Sequence, residues 1–270
     1  MELIKPPLRF ARRKISREEY KKRVKFTDDF FFSRIMQDEM ICKDFIEDLL
    51  GMKIMDIKFH TTQRFFKREK HTHGIRVDVL LEEPRKMIVV EMQTTNYLLP
   101  LRARFYQGII DTATLPKGAS YKALKETYII FICTFDPFGL GLPIYNVKQV
   151  FEAAPEVQYN DGSHKIFYNA VAFERCENER QKAILKYVAT EKATSDITRK
   201  IDKRIIDEQT TQKMRSDFMT FEVRLAERYD EGATEKAILI ARNFIAMGVL
   251  TDEQIAQGTG LSVEEVKNLR

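Results

Sequence analysis

Two carboxylates and an amide stand out for chemistry: Asp78 within RVDVLL, and Glu91 and Gln93 at the end of KMIVVEMQ. Residues two apart in a strand point to one side, so Glu91 and Gln93 share a face while Val90 and Met92 take the other. Only Pro84 and Arg85 separate the two short runs, which reads as a hairpin, and antiparallel pairing across it brings Asp78 beside Glu91. Two carboxylates together in an apolar sheet repel each other and lose hydration, so a cation is the natural compensation. Oxygen donors alone, with no Cys or His at ligand spacing, favour a hard ion, Mg2+ or Mn2+. Such an ion lowers the pKa of a bound water and stabilises a pentavalent phosphate, which is hydrolytic chemistry on a phosphodiester. The plainer reading is that Asp78 and Glu91 end exposed strands and do no more than solvate them. Spacing alone leaves both readings open.

The flanking elements decide whether such a pair can be held. Thr27 can cap a helix whose first turn carries Asp28 and Asp29, and CKDFIEDLLG reads as a second helix ending at Gly51. The stretches IMDIKFHTTQRFF, GIRVDVLLEE and KMIVVEMQ are β-type runs, and LLPLRARFYQGIIDTATL returns to helical spacing with Leu101, Phe105, Ile109 and Thr112 on one stripe. ETYIIFICTF is continuously apolar, as a central strand covered on both faces must be. GLGLPIYNVKQVFEA and SHKIFYNAVAF read as added edge strands. Strands with an interposed helix give a mixed α/β sheet.

With 270 residues and 44% hydrophobic composition, the chain can bury a substantial core. The formal charge of +5 favours a polyanionic partner only weakly. Three widely spaced cysteines, Cys42, Cys133 and Cys176, include no CxxC pair, and a reducing cytoplasm is the simplest setting. The first residues lack a signal-peptide pattern and no apolar run is long enough to span a bilayer, so membrane insertion is not expected. His71 and His73 read as a solvated loop, and His60 and His164 as isolated residues without a role.

The order helix, strand with Asp, strand with Glu-x-Gln, then helix resembles the PD-(D/E)XK nuclease superfamily. More closely, it resembles the branch of recombination-promoting nucleases and transposase-like proteins. The resemblance runs through FTDDFFFSRIM, GIRVDVLLEE, IVVEMQ, LPLRARFYQGIIDTATLPKGASYKAL and YIIFICTFDPFG. Covering roughly residues 26–139, it implies a restriction-endonuclease-like α/β fold, a mixed sheet core flanked by helices; after Glu177 the residues themselves read as a helical C-terminal extension. At matching positions it implies that Asp78 and Glu91 are metal ligands, with Asp29 on the first helix helping to hold the ion. Gln93 stands where the family has lysine, and Val77 where the motif has proline. Arg102, Arg104, Tyr106 and Gln107 match a basic and aromatic helix beside the site, where an arginine can grip a phosphate bidentately. Gln93 can hydrogen-bond and orient the attacking water but, being uncharged, cannot stabilise a developing anion as lysine would, so Arg76, Arg102 or Arg104 would have to supply the charge.

Three domains are expected: a basic arm at 1–25, a nuclease-like domain at 26–175, and a helical extension at 176–270. The extension ends in a helix-turn-helix-like hairpin, with Thr251 and Ser262 as N-caps and Ile255, Ala256, Leu261, Val266 and Leu269 as its apolar set. Its second helix has few side chains that read base edges. The expected function is metal-dependent DNA endonuclease activity associated with recombination or mobile elements, with DNA as partner and a homodimer suited to cutting both strands. The alternative is a catalytically weak nuclease fold that binds DNA or protein.

Overall fold

The computed structural model describes residues 20, 24–55, 57, 59–66, 74–209 and 211–270 of the chain. The expected basic arm at 1–25 and the loop with His71 and His73 fall almost wholly outside them. Two compact units separate at residue 210: residues 21–210 form one, and residues 1–20 with 211–270 form the other. The boundary expected at 175/176 falls inside the first unit.

The first unit opens with two helices. Helix α1 (Asp29–Ile35) is capped by Asp28, whose carboxylate accepts from the N–H groups of Phe30 and Phe31, so the cap is Asp28 and not Thr27. A carboxylate at this position also meets the positive end of the helix dipole. Helix α2 (Glu39–Leu50) starts at its cap Asp38 and ends on Gly51, whose φ of 68° is the left-handed closure glycine permits.

Strands β1 (Phe59–Phe66), β2 (Ile75–Glu82) and β3 (Lys86–Gln93) follow, then helix α3 (Leu99–Thr114) and strand β4 (Glu126–Cys133). Next come β5 (Ile144–Val147), the short β6 (Val150–Phe151) and β7 (Ala154–Gln158), and β8 (Ser163–Asn169). Six of these strands form one sheet in the order β1-β2-β3-β4-β8-β5. Neighbours β3, β4 and β8 run parallel and the other pairs antiparallel, so the sheet is mixed. The run at 126–133 is the expected central strand. The stretch expected as a second edge is not one: β8 lies between β4 and β5, and its Phe167 and Tyr168 are buried.

Helix α3 covers one face through Leu99, Ala103, Tyr106 and Ile110, packed with Val89, Ile129, Phe131 and Phe167. The stripe expected from sequence, Leu101 and Phe105 with Ile109, is displaced: Leu101 and Phe105 are exposed and Ile109 is half-buried. Towards the other face point the alternate residues Val90, Ile130 and Tyr168, and the Tyr168 hydroxyl donates to the Leu49 carbonyl at the end of α2. Helices α4 (Glu179–Thr190) and α5 (Asp196–Gln209) pack beside α1 and α2. These observations establish the restriction-endonuclease-like α/β architecture with flanking helices.

The second unit contains the long helix α6 (Gln212–Met247) followed by α7 (Asp252–Thr259) and α8 (Val263–Asn268). Thr251 and Ser262 each close a capping box, and Ala241, Ile255, Ala256 and Val266 form a small core. The three cysteines are free and buried. Among the described residues, no helix is long and apolar enough to cross a membrane.

Candidate active site

The hairpin that joins β2 to β3 turns at Pro84-Arg85, where the Glu83 N–H donates to the Lys86 carbonyl at 2.9 Å. Its register pairs Val79 with Val90, so Asp78 and Glu91 stand one step further along. Here the two side chains take over the backbone bonding: the Asp78 N–H donates to Glu91 Oε1 at 3.0 Å, and the Met92 N–H donates to Asp78 Oδ2 at 3.1 Å. Asp78, Glu91 and Gln93 are only 6%, 2% and 7% exposed, which removes the reading of solvated strand ends.

Burial dominates the electrostatics of this pair. Desolvation, then the charges of Glu91 and Asp29, push the Asp78 carboxyl well above its ordinary range despite the Met92 N–H and Arg76. Desolvation likewise raises Glu91, although the Asp78 N–H, Arg102, Tyr106 and Arg76 all favour its charged form. Three carboxyls, Asp29, Asp78 and Glu91, face two guanidiniums, Arg76 and Arg102, so full ionisation would leave a net negative charge that a further cation offsets.

Helix α3 supplies one of those cations. Arg102 Nη1 donates to Gln93 Oε1 at 2.6 Å, and its Nη2 donates to Glu91 Oε2 at 3.1 Å and to the Tyr106 hydroxyl at 3.0 Å. The Tyr106 hydroxyl in turn donates to Glu91 Oε2 at 3.3 Å. Residues 102 and 106 are one turn apart, which puts both over the same strand end. The guanidinium also lies 5.4 Å from the centre of the Phe131 ring. Phe131 was read from sequence only as strand core, and its link to Arg102 follows from its pairing with Glu91 across β3 and β4.

Arg76 forms an ion pair with Asp29 at the start of α1. Asp29 Oδ1, its other carboxylate oxygen, is buried without a hydrogen-bond partner among the described residues. Seven of the residues singled out in the sequence thus meet: Asp29, Arg76, Asp78, Glu91, Gln93, Arg102 and Tyr106. Two do not. Arg104 is exposed on α3 with no bond to the cluster, and Gln107 is engaged by Asp111 at 2.9 Å and by the Ser163 hydroxyl at 2.9 Å. Both follow from the helical period, which turns positions 104 and 107 away from the face carrying 102 and 106. His164 is held by Glu126 at 2.9 Å and stacked on Tyr128, apart from these residues.

The donor set suits a hard cation, because Asp78, Glu91 and the unpartnered Asp29 Oδ1 offer oxygen only. No group of three or more His, Cys, Asp or Glu side chains among the described residues is gathered closely enough to form a ready-made cage.

A family model described as PD-(D/E)XK nuclease family transposase matches residues 26–245. Neither the comparison with curated proteins nor that with solved structures gives a match. The matched region contains every residue of the cluster, and the family carries a nuclease- or transposase-related role with DNA as its substrate. The buried Asp78–Glu91 pair on a mixed sheet and the extent of the match agree: the chain belongs to the family of PD-(D/E)XK nuclease family transposases.

Proposed function

We propose that the protein is a metal-dependent DNA endonuclease acting in recombination or the movement of mobile elements. The observation that carries this reading is the cross-bonded, buried Asp78–Glu91 pair with both carboxyls raised. Asp78 and Glu91 would hold Mg2+ or Mn2+, with Asp29 contributing its free oxygen. The ion, when bound, supplies charge to the scissile phosphate and acidifies a water.

The chain's own residues do the rest. Arg102 presents a guanidinium at the strand end and can bond a phosphate oxygen. Gln93 accepts from Arg102 and so fixes where that guanidinium points, which puts the charge that lysine carries in the family on a neighbouring helix. Tyr106 holds Arg102 from the other side. Arg76 offsets negative charge at the α1 end. A homodimer would place two such sites on opposite strands, and the three buried thiols suit the cytoplasm.

The test is cleavage of supercoiled plasmid with Mg2+ or Mn2+, run beside Asp78→Ala and Glu91→Ala variants of confirmed fold. Metal-dependent cutting lost in both variants is the expected result, and linear rather than nicked product would indicate paired sites. Failure of the folded wild type to cut, or equal cutting by all three proteins, overturns the proposal. The outcome would then favour a DNA- or protein-binding module. The observation on its side is that Arg102 already satisfies Glu91 Oε2 while Gln93 bears no charge.

A further inference from the structure

Beyond the cluster of charges, the same edge of the sheet carries an apolar rim. Strands β3 and β4 run parallel, so the segments that leave their C-terminal ends emerge side by side. They are tied together: the Thr134 N–H donates to the Gln93 carbonyl at 3.0 Å, and the Asn96 amide donates to the Pro137 carbonyl at 3.2 Å. Both segments then present large apolar side chains to solvent. Tyr97 and Leu140 are each 67% exposed, and Leu98 is 52% exposed.

The backbone that carries these side chains is pinned at several points. The Asp136 carboxylate accepts from the N–H groups of Phe138, Gly139 and Gly141 and from the Tyr145 hydroxyl, so the loop bearing Leu140 is closed on a single anion. Gly139 and Gly141 have φ of 72° and 68°, the left-handed turns that let the loop close. On the other segment Leu98 is itself left-handed, at φ 49°, a conformation that disfavours a branched side chain. Its carbonyl accepts the Arg102 N–H at 2.9 Å, so the strained residue starts the helix that aims the site's guanidinium.

We infer that this rim is a wedge for nucleobases: Tyr97 stacks on an unpaired base, and Leu98 and Leu140 separate neighbouring bases next to the scissile phosphate. The inference rests on the nuclease reading and specifies its substrate as DNA that is unpaired or unstacked at the cut. Tyr97 is four residues past Gln93, a reach of at most about 14 Å, or about four nucleotides at ~3.4 Å each. A phosphate held by Arg102 therefore brings its own bases to the rim. Phosphates gain nothing from apolar tips, whereas base faces do, and inserted apolar side chains are a known means of unstacking a duplex step. Tyrosine offers a stacking surface that any base can use.

The experiment measures binding without divalent ions, so that it reads the rim and not the chemistry. Anisotropy compares a short duplex with the same duplex carrying a mismatched bubble, and 2-aminopurine in the bubble reports stacking. Wild type is expected to prefer the bubble, to quench 2-aminopurine, and to lose both in a Tyr97→Ala/Leu140→Ser variant by about tenfold in affinity, the scale of one stacked base. Tyr97→Phe should restore stacking. Equal affinity for both DNAs, no binding to either, or a variant that binds like wild type overturns the wedge. So does a variant whose sole defect is loss of self-association, which would make the rim a contact between two copies. The nuclease reading fails separately: bubble preference without cleavage leaves the wedge standing, and metal-dependent cutting indifferent to the rim variant leaves only the nuclease.

Discussion

Replacing Asp78 with asparagine removes one of two mutually repelling carboxyls while keeping an acceptor for the Met92 N–H, now bonded to Asp78 Oδ2 at 3.1 Å. Burial, then Glu91, raises the Asp78 carboxyl, and burial raises Glu91. A carboxyl raised in the folded state binds more protons there than in the unfolded chain. That excess begins near the ordinary value of about 4 and ends at the raised value. Stability therefore declines as pH climbs through this window and stays lower above it. Every tenfold gain in proton affinity on folding costs about 1.4 kcal/mol above the window. Asp78→Asn relieves that cost for one group and eases Glu91, so without divalent ions it should stabilise the protein by ~1–3 kcal/mol near pH 8. At roughly 2–4 °C per kcal/mol for a domain of this size, the melting temperature rises by several degrees. Near pH 3, below the ordinary carboxylate value of about 4, the gain vanishes, because the carboxyl is then largely protonated in both states. Calorimetry at both pH values checks this. A variant that melts at or below wild type near pH 8, or whose advantage is the same at both, refutes the reasoning. Saturating Mn2+ should reverse the order, since an ion at about 100 times its Kd adds about 2.7 kcal/mol to the protein that binds it.

Arg102→Ala should lower cleavage by about 10²–10³-fold, the loss typical of one donor aimed at a developing anion, while Mn2+ still binds. Single-turnover cleavage beside a metal titration reads both, and an unaffected rate would remove Arg102 from the mechanism. Gln93→Lys alone sets an ammonium against the guanidinium that lies 2.6 Å from the Gln93 oxygen, so it should reduce activity. Pairing it with Arg102→Gln should recover part of the loss, and a hyperactive single variant would contradict this. Divalent-ion binding should expel protons, because both carboxyls start above their usual range. Calorimetric titration in buffers of different ionisation heat reveals the release, and heats that do not change with buffer would argue against it. Thr251→Ala opens the capping box of α7, a loss of about 1 kcal/mol that hydrogen exchange in residues 252–259 would register as faster opening.

The pair itself was legible because a hairpin is a local object. Two β-type runs around Pro84-Arg85 fix the register, and the register fixes which residues face each other. Helix α3 was half legible. Apolar residues occupy both its sides, so the 3.6-residue period admits a stripe through Leu101 and Phe105 as readily as the one through Leu99, Ala103 and Tyr106. Only the sheet beneath it chooses, through Phe131 and Val89. The choice of Asp28 over Thr27 as cap rests on a one-residue difference in where the helix begins. The central place of β8 was hidden for a different reason. Its parallel partner β4 lies about thirty residues earlier in the chain, and nothing local in SHKIFYNAVAF encodes that distance. The bond of Gln107 to Ser163 was hidden with it, because Ser163 belongs to that same distant strand.

Strands β5 and β8 pair from Ile144 with Tyr168 to Val147 with Lys165, and what lies between them leaves the sheet and comes back. The excursion contains β6 and β7, which bond only to each other within the sheets and keep Phe151 and Val157 in solvent. It starts at the end of the sheet opposite the C-terminal ends of β3 and β4. Cut back to a tight turn, it would leave β5 and β8 an ordinary hairpin. Lengthened, it would add only loop entropy, about 0.6 kcal/mol for a doubling. Residues 148–161 are therefore the natural insertion point for a fluorophore, an affinity handle or a tether to a surface, with the reacting edge left facing outward.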